Sequence, residues 1–289
     1  MKNGLNIKPF FSIVIPTLNE EKYLPLLLKD LTVQTFTDFE VIHIDGSSED
    51  QTIGKAKHFQ RVLTLKTKVV KKRNAAYQRN VGATLTLGQW VIFMDADNRL
   101  PNYFLQGIKY QLEKNPGTGV FTTYIEVGNQ ISLNRTIENA VNLGYEMLSI
   151  VGKEVALGSM IGAKKIVVGK VKFRENVQIF EDAYFVKDCI ARGYHFSIFR
   201  EPKYTFSLRR LKKEGTLKMV RIIAVTQLNH ILGKTFEEKN HGYVMFGGKY
   251  YDEQYRSPLI NLQKFIEKAS AEQLKRAKKI LKGLKELEL

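Results

Sequence analysis

Trp90-Val-Ile-Phe-Met-Asp-Ala-Asp97 is an unbroken apolar run that ends in two acids one residue apart. An apolar run of this length, bounded by polar chain, reads as a strand buried on both faces, the pattern of a parallel sheet covered by helices. Ionised carboxylates beside such a core are unfavourable unless they are paired or hold a cation. Two hard oxygen donors at a strand end suit Mg2+ or Mn2+. Such ions bind through one or two carboxylates and complete their shell with phosphate oxygens and water.

Working outward, the first half alternates strands with helices. Phe11-Ser-Ile-Val-Ile15 reads as a strand closed by Pro16-Thr17, and Phe39-Glu-Val-Ile-His-Ile44 as another, closed by Asp45-Gly-Ser-Ser-Glu-Asp50-Gln-Thr52. Between them Glu20 to Gln34 carries Leu24, Leu27, Leu28 and Leu31 at helical spacing, with Asn19 as the expected N-cap. Arg61 to Leu65 and Val69-Val70 predict shorter strands, Asn74 to Leu87 a helix, and Pro101 to Lys114 another. This alternation predicts an α/β fold with a mostly parallel sheet flanked by helices. Ligands bind such sheets beyond the carboxyl ends of the strands. Three polar clusters fall there: Pro16-Thr17-Asn19-Glu20, Asp45-Gly46-Ser47-Ser48-Asp50, and Asp95-Ala96-Asp97. One such cluster is an ordinary turn; three on one rim are a candidate site.

The second half is more mixed. Gly119 to Val127 reads as a strand, Asn134 to Val151 as a helix, and Gly158 to Gly162 as a close-packed segment. Glu181 to Arg192 is a helix stopped by Gly193, and Phe196 to Phe199 and Tyr204 to Leu208 are short strands. After Arg210 the chain turns basic and helical, with helix starts at Ser257-Pro258 and at Ser270 with Gln273.

Composition sets bounds. With 289 residues, 44% of them hydrophobic, the chain can bury a sizeable core. Cys189 is its single cysteine, so no disulfide forms within the chain, and it reads as a core thiol suited to a reducing compartment. Met1 to Pro9 has no apolar segment, and no run approaches the roughly 20 apolar residues of a spanning helix. A cytoplasmic protein, soluble or peripheral at the inner face of a membrane, is expected. The net charge of +16 is spread along the chain and favours anionic partners. Gly215 to Leu232 is amphipathic and basic, and either packs on the main domain or lies on an anionic membrane surface. His43 and Trp90 read as core residues, and Lys71-Lys72-Arg73 as a solvated turn.

The ordered set Ser12-Ile-Val-Ile-Pro-Thr-Leu-Asn-Glu-Glu21, Asp45 to Thr52, Arg79-Asn80-Val81-Gly82, Asp95-Ala96-Asp97 and Glu181-Asp182 resembles family 2 glycosyltransferases of the GT-A fold, over about residues 10–210. The resemblance implies a Rossmann-like catalytic domain over 1–210, with the nucleotide-sugar half at 10–100 and the acceptor half at 101–210. A basic helical C-terminal extension at 211–289 would follow. It implies metal-assisted transfer of a sugar, with inversion, from a nucleoside-diphosphate sugar (UDP, GDP or dTDP) to an acceptor hydroxyl. On that resemblance Pro16, Thr17 and Glu20 line the nucleotide site, Asp45 and Ser47 meet the nucleotide, Arg79 and Asn80 sit beside it, and Asp95 faces the ribose and sugar. Asp97, with Asp95, faces Mg2+ or Mn2+, and His241 is a further candidate ligand. Asp182 is the general base with Glu181 beside it, and Arg209 and Arg210 add donors to the phosphates.

The acceptor implied is a saccharide or lipid-linked glycan, as in cell-envelope polysaccharides. The absence of spanning helices and of a tryptophan-bearing basic signature after Leu208 implies a non-processive enzyme. Two other readings compete. A haloacid-dehalogenase-like phosphatase also has Asp-x-Asp after a strand, but wants Thr or Val soon after, where Asn98-Arg99 stands, and leaves the Asp45 turn without a role. A basic nucleic-acid-binding protein explains the charge but not acidic clusters on one rim, so no nucleic acid is expected as partner.

Overall fold

The strand that delivers the two acids is buried at every position because the sheet is covered on both faces. In the computed structural model, which describes residues 8–128, 138–139, 141–143, 159–177 and 181–209, seven strands form one sheet. They are β1 (Phe11–Thr17), β2 (Phe39–Asp45), β3 (Leu65–Val69), β4 (Trp90–Met94), β5 (Thr118–Glu126), β6 (Met160–Lys164) and β7 (His195–Thr205), in the order β3-β2-β1-β4-β6-β5-β7. Parallel pairing joins β1 to β2 and β4, β2 to β3, and β5 to β7; β6 alone runs against its neighbours. The α/β, mostly parallel architecture expected from the sequence is what the described residues adopt.

Side-chain alternation sorts the core into two layers. Ile13, Ile15, Ile92 and Met94 face one side, where α1 (Leu24–Thr32), the short α2 (Thr52–His58) and α4 (Phe104–Lys114) bury Leu24, Leu27, Leu28, Leu31, Ala56, Phe104 and Ile108. Val14, Ile42, Ile44, Val91 and Phe93 face the other. There α3 (Ala75–Leu85), α5 (Lys165–Lys170) and α6 (Glu181–Ala191) bring Ala76, Ala83, Val167, Phe185 and Cys189. Burial pushes the Cys189 thiol up to about 12, with Asp188 adding to the effect, so it stays protonated, as a core thiol should.

Two glycines allow the closest approaches. A Cβ on Gly82 would lie 2.3 Å from Val14 Cγ1, so α3 rests directly on β1. A Cβ on Gly162 would lie 2.0 Å from Phe121 Cζ, the ring of β5 that covers β6.

Several expectations shift. The α1 helix begins at Leu24, not Glu20; the segment before it is tied instead to the region after β2, the N–H groups of Asn19, Glu20 and Glu21 bonding to Ser48, Thr52 and Asp50. Asn19 is not a helix cap: its Oδ1 accepts from Glu49 N and its φ is a left-handed 56°. The strand expected at Arg61–Leu65 does not form there: Arg61 ends a 3-10 turn begun at Phe59, and β3 runs from Leu65, where pairing with Val41 begins, to Val69. The α4 helix begins at Phe104, after Pro101 rather than at it. The close-packed segment proves to be β6, and the two short strands near 196–208 are one strand, β7. Of the helix expected at Asn134–Val151 only 138, 139 and 141–143 are described. The expected helix starts at Ser257 and Ser270 and the extension at 211–289 lie outside the described residues.

Gly82→Ala should lower stability by about 1–3 kcal/mol through overpacking against Val14, a Tm loss of roughly 5 °C in thermal unfolding. Gly169→Ala, where a Cβ meets nothing within 4 Å in α5, should be neutral or stabilising by up to about 1 kcal/mol.

Candidate active site

The three polar clusters meet on one rim because β1, β2 and β4 are parallel and end together. The last register pair of β1 and β2 is Thr17 opposite Asp45. Asp45 is fully buried and accepts from Thr17 Oγ1 (2.9 Å), Ser48 N (2.7 Å) and Ser48 Oγ (2.7 Å). Thr17 Oγ1 also lies 2.8 Å from His43 Nε2. Burial holds His43 down at about 4 despite Asp45 nearby, so the imidazole is neutral at pH 7. The Thr17 proton goes to Asp45, so we assign Nε2–H of His43 as the donor to Thr17. Nδ1 then accepts from Thr67 Oγ1 at 3.3 Å. His43 is a satisfied core residue, as its place in a strand suggests.

The loops after β1 and β2 are laced to each other. Glu49 N donates to Asn19 Oδ1 (2.8 Å), Asn19 N to Ser48 Oγ (2.8 Å) and Glu20 N to Thr52 Oγ1 (2.8 Å). Ser47 sits at a φ of 63° and donates to Val70 O (3.0 Å). A left-handed non-glycine residue in each of the two loops is strain that the surrounding bonds hold in place. Pro16 is buried inside β1 and contributes backbone shape rather than a polar group.

The turn after β4 is pinned from both sides. Asp95 N and Asn98 Nδ2 donate to Ser159 O, next to β6, while Arg99 and Thr205 exchange backbone bonds at the end of β7. Arg99 also forks onto Asp30 of α1 through Nε and Nη2, both at 2.6 Å. Between them, Arg79 reaches up from α3. Its Nη2 donates to Asp95 Oδ1 (2.9 Å) and its Nη1 to Glu181 Oε1 (2.6 Å), with the Phe173 ring 5.4 Å away. Burial opposes the Arg79 charge, but Asp95, Glu181 and then Asp182 overcome it and hold the guanidinium above its ordinary range. Desolvation pushes the Asp95 carboxyl up, Arg79 pulls it down, and Asp97 and Glu181 push it up further.

A second arginine closes the other side. Arg209, just beyond β7, places Nη1 and Nη2 on the two oxygens of Glu20 (2.8 and 2.5 Å) and Nε on Asp97 Oδ2 (2.8 Å), with its Cζ 4.5 Å from the Tyr23 ring centre. Burial raises Glu20 to about 7, against the pull of Arg209.

Of the residues singled out from sequence, Thr17, Glu20, Asp45, Ser47, Arg79, Asp95, Asp97, Glu181, Asp182 and Arg209 belong to this rim. Asn80 faces elsewhere: its amide brackets Phe173, donating to the carbonyl (2.9 Å) and accepting from the N–H (2.9 Å). Arg210 and His241 lie outside the described residues. Sequence reasoning missed Tyr23 and the pairing of each arginine with two acids. The only trace in the chain is a surplus of acids at strand ends, which demands cations from somewhere.

Comparison with known proteins follows the same line. The profile of the family described as Glycosyl transferase family 2 matches residues 12–201. An uncharacterised glycosyltransferase of Haemophilus influenzae is 31% identical over 105 residues, 36% of this chain and 35% of that protein. The poly(ribitol-phosphate) beta-N-acetylglucosaminyltransferase TarS of Staphylococcus aureus is 22% identical over 79% of this chain and 42% of its own length. The chain thus spans well under half the length of these curated relatives. Among solved structures, a mannosyltransferase of Pyrobaculum calidifontis in complex with GDP-Man and Mn2+ superposes with a TM-score of 0.58 at 17% identity, over 70% of this chain and 57% of that one. Residues 1–349 of S. aureus TarS with UDP-GlcNAc give 0.52 at 21% identity, over 67% and 57%. At these identities the structures speak for the fold, which is GT-A.

Arg79→Ala would leave Asp95 and Glu181 without their shared counter-charge. A loss of roughly 3 kcal/mol is expected in urea unfolding, the lower end for a broken buried pair because the Asp95 side chain keeps 38% exposure. Arg79→Lys should recover only part of it, since one ammonium lacks the fork that reaches both acids.

Proposed function

We propose a function from one premise: the chain belongs to glycosyl transferase family 2. It transfers a sugar from a nucleoside-diphosphate sugar to an acceptor hydroxyl, with inversion. The observation that carries this reading is the Arg79 bridge, 2.9 Å to Asp95 and 2.6 Å to Glu181. It ties the acid at the end of β4 to the first turn of α6, where Asp182 stands partly exposed. Donor-side and acceptor-side acids are thereby held together. Family membership leaves no place for the phosphatase alternative.

In this reading the nucleotide lies across the ends of β1, β2 and β4. The relatives' structures contain UDP, UDP-GlcNAc or GDP-Man, which supports a donor of this class. Asp45 is buried with three protein donors, so it shapes the base-binding loop, whose left-handed Ser47 presents backbone to the nucleotide. Asp95 faces the ribose and sugar.

Among the described residues no group of three or more His, Cys, Asp or Glu side chains is arranged to hold a metal. The oxygen donors of Asp95 and Asp97 nevertheless fit Mg2+ or Mn2+, which is commonly held by one or two carboxylates plus substrate phosphates. Mn2+ in the P. calidifontis mannosyltransferase structure supports the same assignment. Asp97, with Asp95 beside it, would hold such a cation, which when bound would supply positive charge to the departing diphosphate.

Asp182 is the general base. It takes the proton of the acceptor hydroxyl as that oxygen bonds to the anomeric carbon and the bond to the diphosphate breaks on the opposite face, which inverts the centre. Glu181 is a positioning residue, buried and committed to Arg79. Residues 1–210 form the catalytic unit in this proposal and 211–289 a basic helical extension. The +16 charge supports an anionic or lipid-linked glycan acceptor and contact with a membrane face; the transfer is proposed as non-processive and cytoplasmic, and the acidic clusters on the rim speak against a nucleic-acid partner. No helix of the described residues is long and apolar enough to cross a membrane.

Incubation with UDP-, GDP- and dTDP-sugars, with and without Mn2+, should give donor hydrolysis and a thermal shift with at least one. No response to any donor with metal present would sink the proposal. Asp97→Asn should remove the metal-dependent part of binding. Asp182→Asn should keep donor affinity within about 2-fold while turnover falls about 100- to 10,000-fold, the range of a general base. Equal loss of binding and turnover would mean the base lies elsewhere.

A further inference from the structure

Arg209 lies where a cation is wanted. Its three nitrogens are divided between two carboxylates that belong to different loops: both Glu20 oxygens at 2.8 and 2.5 Å, and Asp97 Oδ2 at 2.8 Å. The ring of Tyr23, three residues after Glu20, lies under the guanidinium, with its centre 4.5 Å from Cζ. The Arg209, Glu20 and Asp97 side chains are only 15%, 11% and 15% exposed, so the cluster is a built, largely desolvated contact and not a loose surface pair. Glu20 and Tyr23 come from the segment between β1 and α1, Asp97 from the turn after β4, and Arg209 from the end of β7. The last two meet because Arg99 and Thr205 are bonded backbone to backbone.

We propose that Arg209 is an internal counter-cation for the metal-facing carboxylate: it occupies Asp97 until a divalent cation and a nucleoside diphosphate arrive, and then passes to the diphosphate. Glu20 and Tyr23 are its dock, which gives Glu20 a role other than touching the nucleotide. Charge explains the exchange. A guanidinium and a divalent ion on one carboxylate repel, so metal alone must displace Arg209 from Asp97. When the diphosphate comes with the metal, its two negative charges offer the fork a better partner, since guanidinium recognises phosphate oxygens bidentately. Metal and nucleotide thus bind together more readily than either does alone. The proposal rests on the reading of Asp97 as facing the metal, and its test is independent of whether any sugar is transferred.

The test is Mn2+ binding to the full chain without nucleotide, read by electron paramagnetic resonance of free Mn2+ or by calorimetry. Arg209→Gln should bind Mn2+ alone about 10-fold more tightly than the wild type, and adding Asp97→Asn should erase that gain. With Mn2+ present, UDP or GDP, whichever the wild type binds, should bind Arg209→Gln about 10-fold more weakly. Arg209→Lys keeps the charge but cannot span Glu20 and Asp97; it should fall between the two and serves if the Gln variant does not fold. Equal or weaker Mn2+ binding by both variants would overturn the proposal, as would a gain that survives Asp97→Asn. Absence of any nucleotide response would count against the transferase reading, while the Mn2+ comparison would still decide the role of Arg209.

Discussion

The buried guanidinium of Arg79 holds a sheet end and a helix end to each other, and the rest of the site is arranged around that contact. It needs two acids to be tolerated where it lies, and Asp95 and Glu181 each need it. Neither carboxylate is held by local structure alone: they come from β4 and α6, and Arg79 from α3. Removing the guanidinium would strand two charges, whereas removing both acids would strand one. Such a triad adds little net stability over an apolar core, but it fixes where the helix start carrying Asp182 stands relative to the end of β4.

What lets Arg79 reach that place is the close approach of α3 to the sheet. Gly82, one turn further along the helix, has no side chain to hold α3 away from Val14. Asn80 braces the same helix from its other side by bonding both backbone groups of Phe173, and Phe173 in turn stacks on Phe185 of α6 at 4.2 Å. The segment Arg79-Asn80-Val81-Gly82 is therefore a packing device as much as a ligand-binding one. Its arginine carries charge to the rim, its asparagine ties down the segment leading to α6, and its glycine sets the depth.

The two arginines divide the rim between them. Arg79 is nearly inaccessible at 3% side-chain exposure, while Arg209 is at 15% and at the margin. A deeply buried fork suits a permanent tie. One at the edge, lying over a tyrosine ring and shared between loops, suits exchange of partners.

The pattern of apolar runs ending in polar clusters is enough to read the first strands, their parallel arrangement and the rim on which Thr17, Asp45 and Asp95 converge. Those features are local: period, burial and strand ends are written in neighbouring residues. The second half was less legible. The β6 strand is short, begins beside a Gly-Ser-Met segment and runs against its neighbours, so nothing in its own sequence distinguished it from a packed loop. The start of α1 departs from the expected one because Asn19, the expected cap, takes a left-handed φ and its Oδ1 accepts from Glu49 N of another loop. The sequence by itself determined which acids stand at the strand ends. Only the tertiary structure decided which cation each acid receives, because the partners are 102 positions apart for Arg79 and Glu181 and 189 for Glu20 and Arg209. Over such separations no periodicity in the chain carries the pairing; it is set by how the sheet orders its strands and by the need to neutralise charge that folding has removed from water.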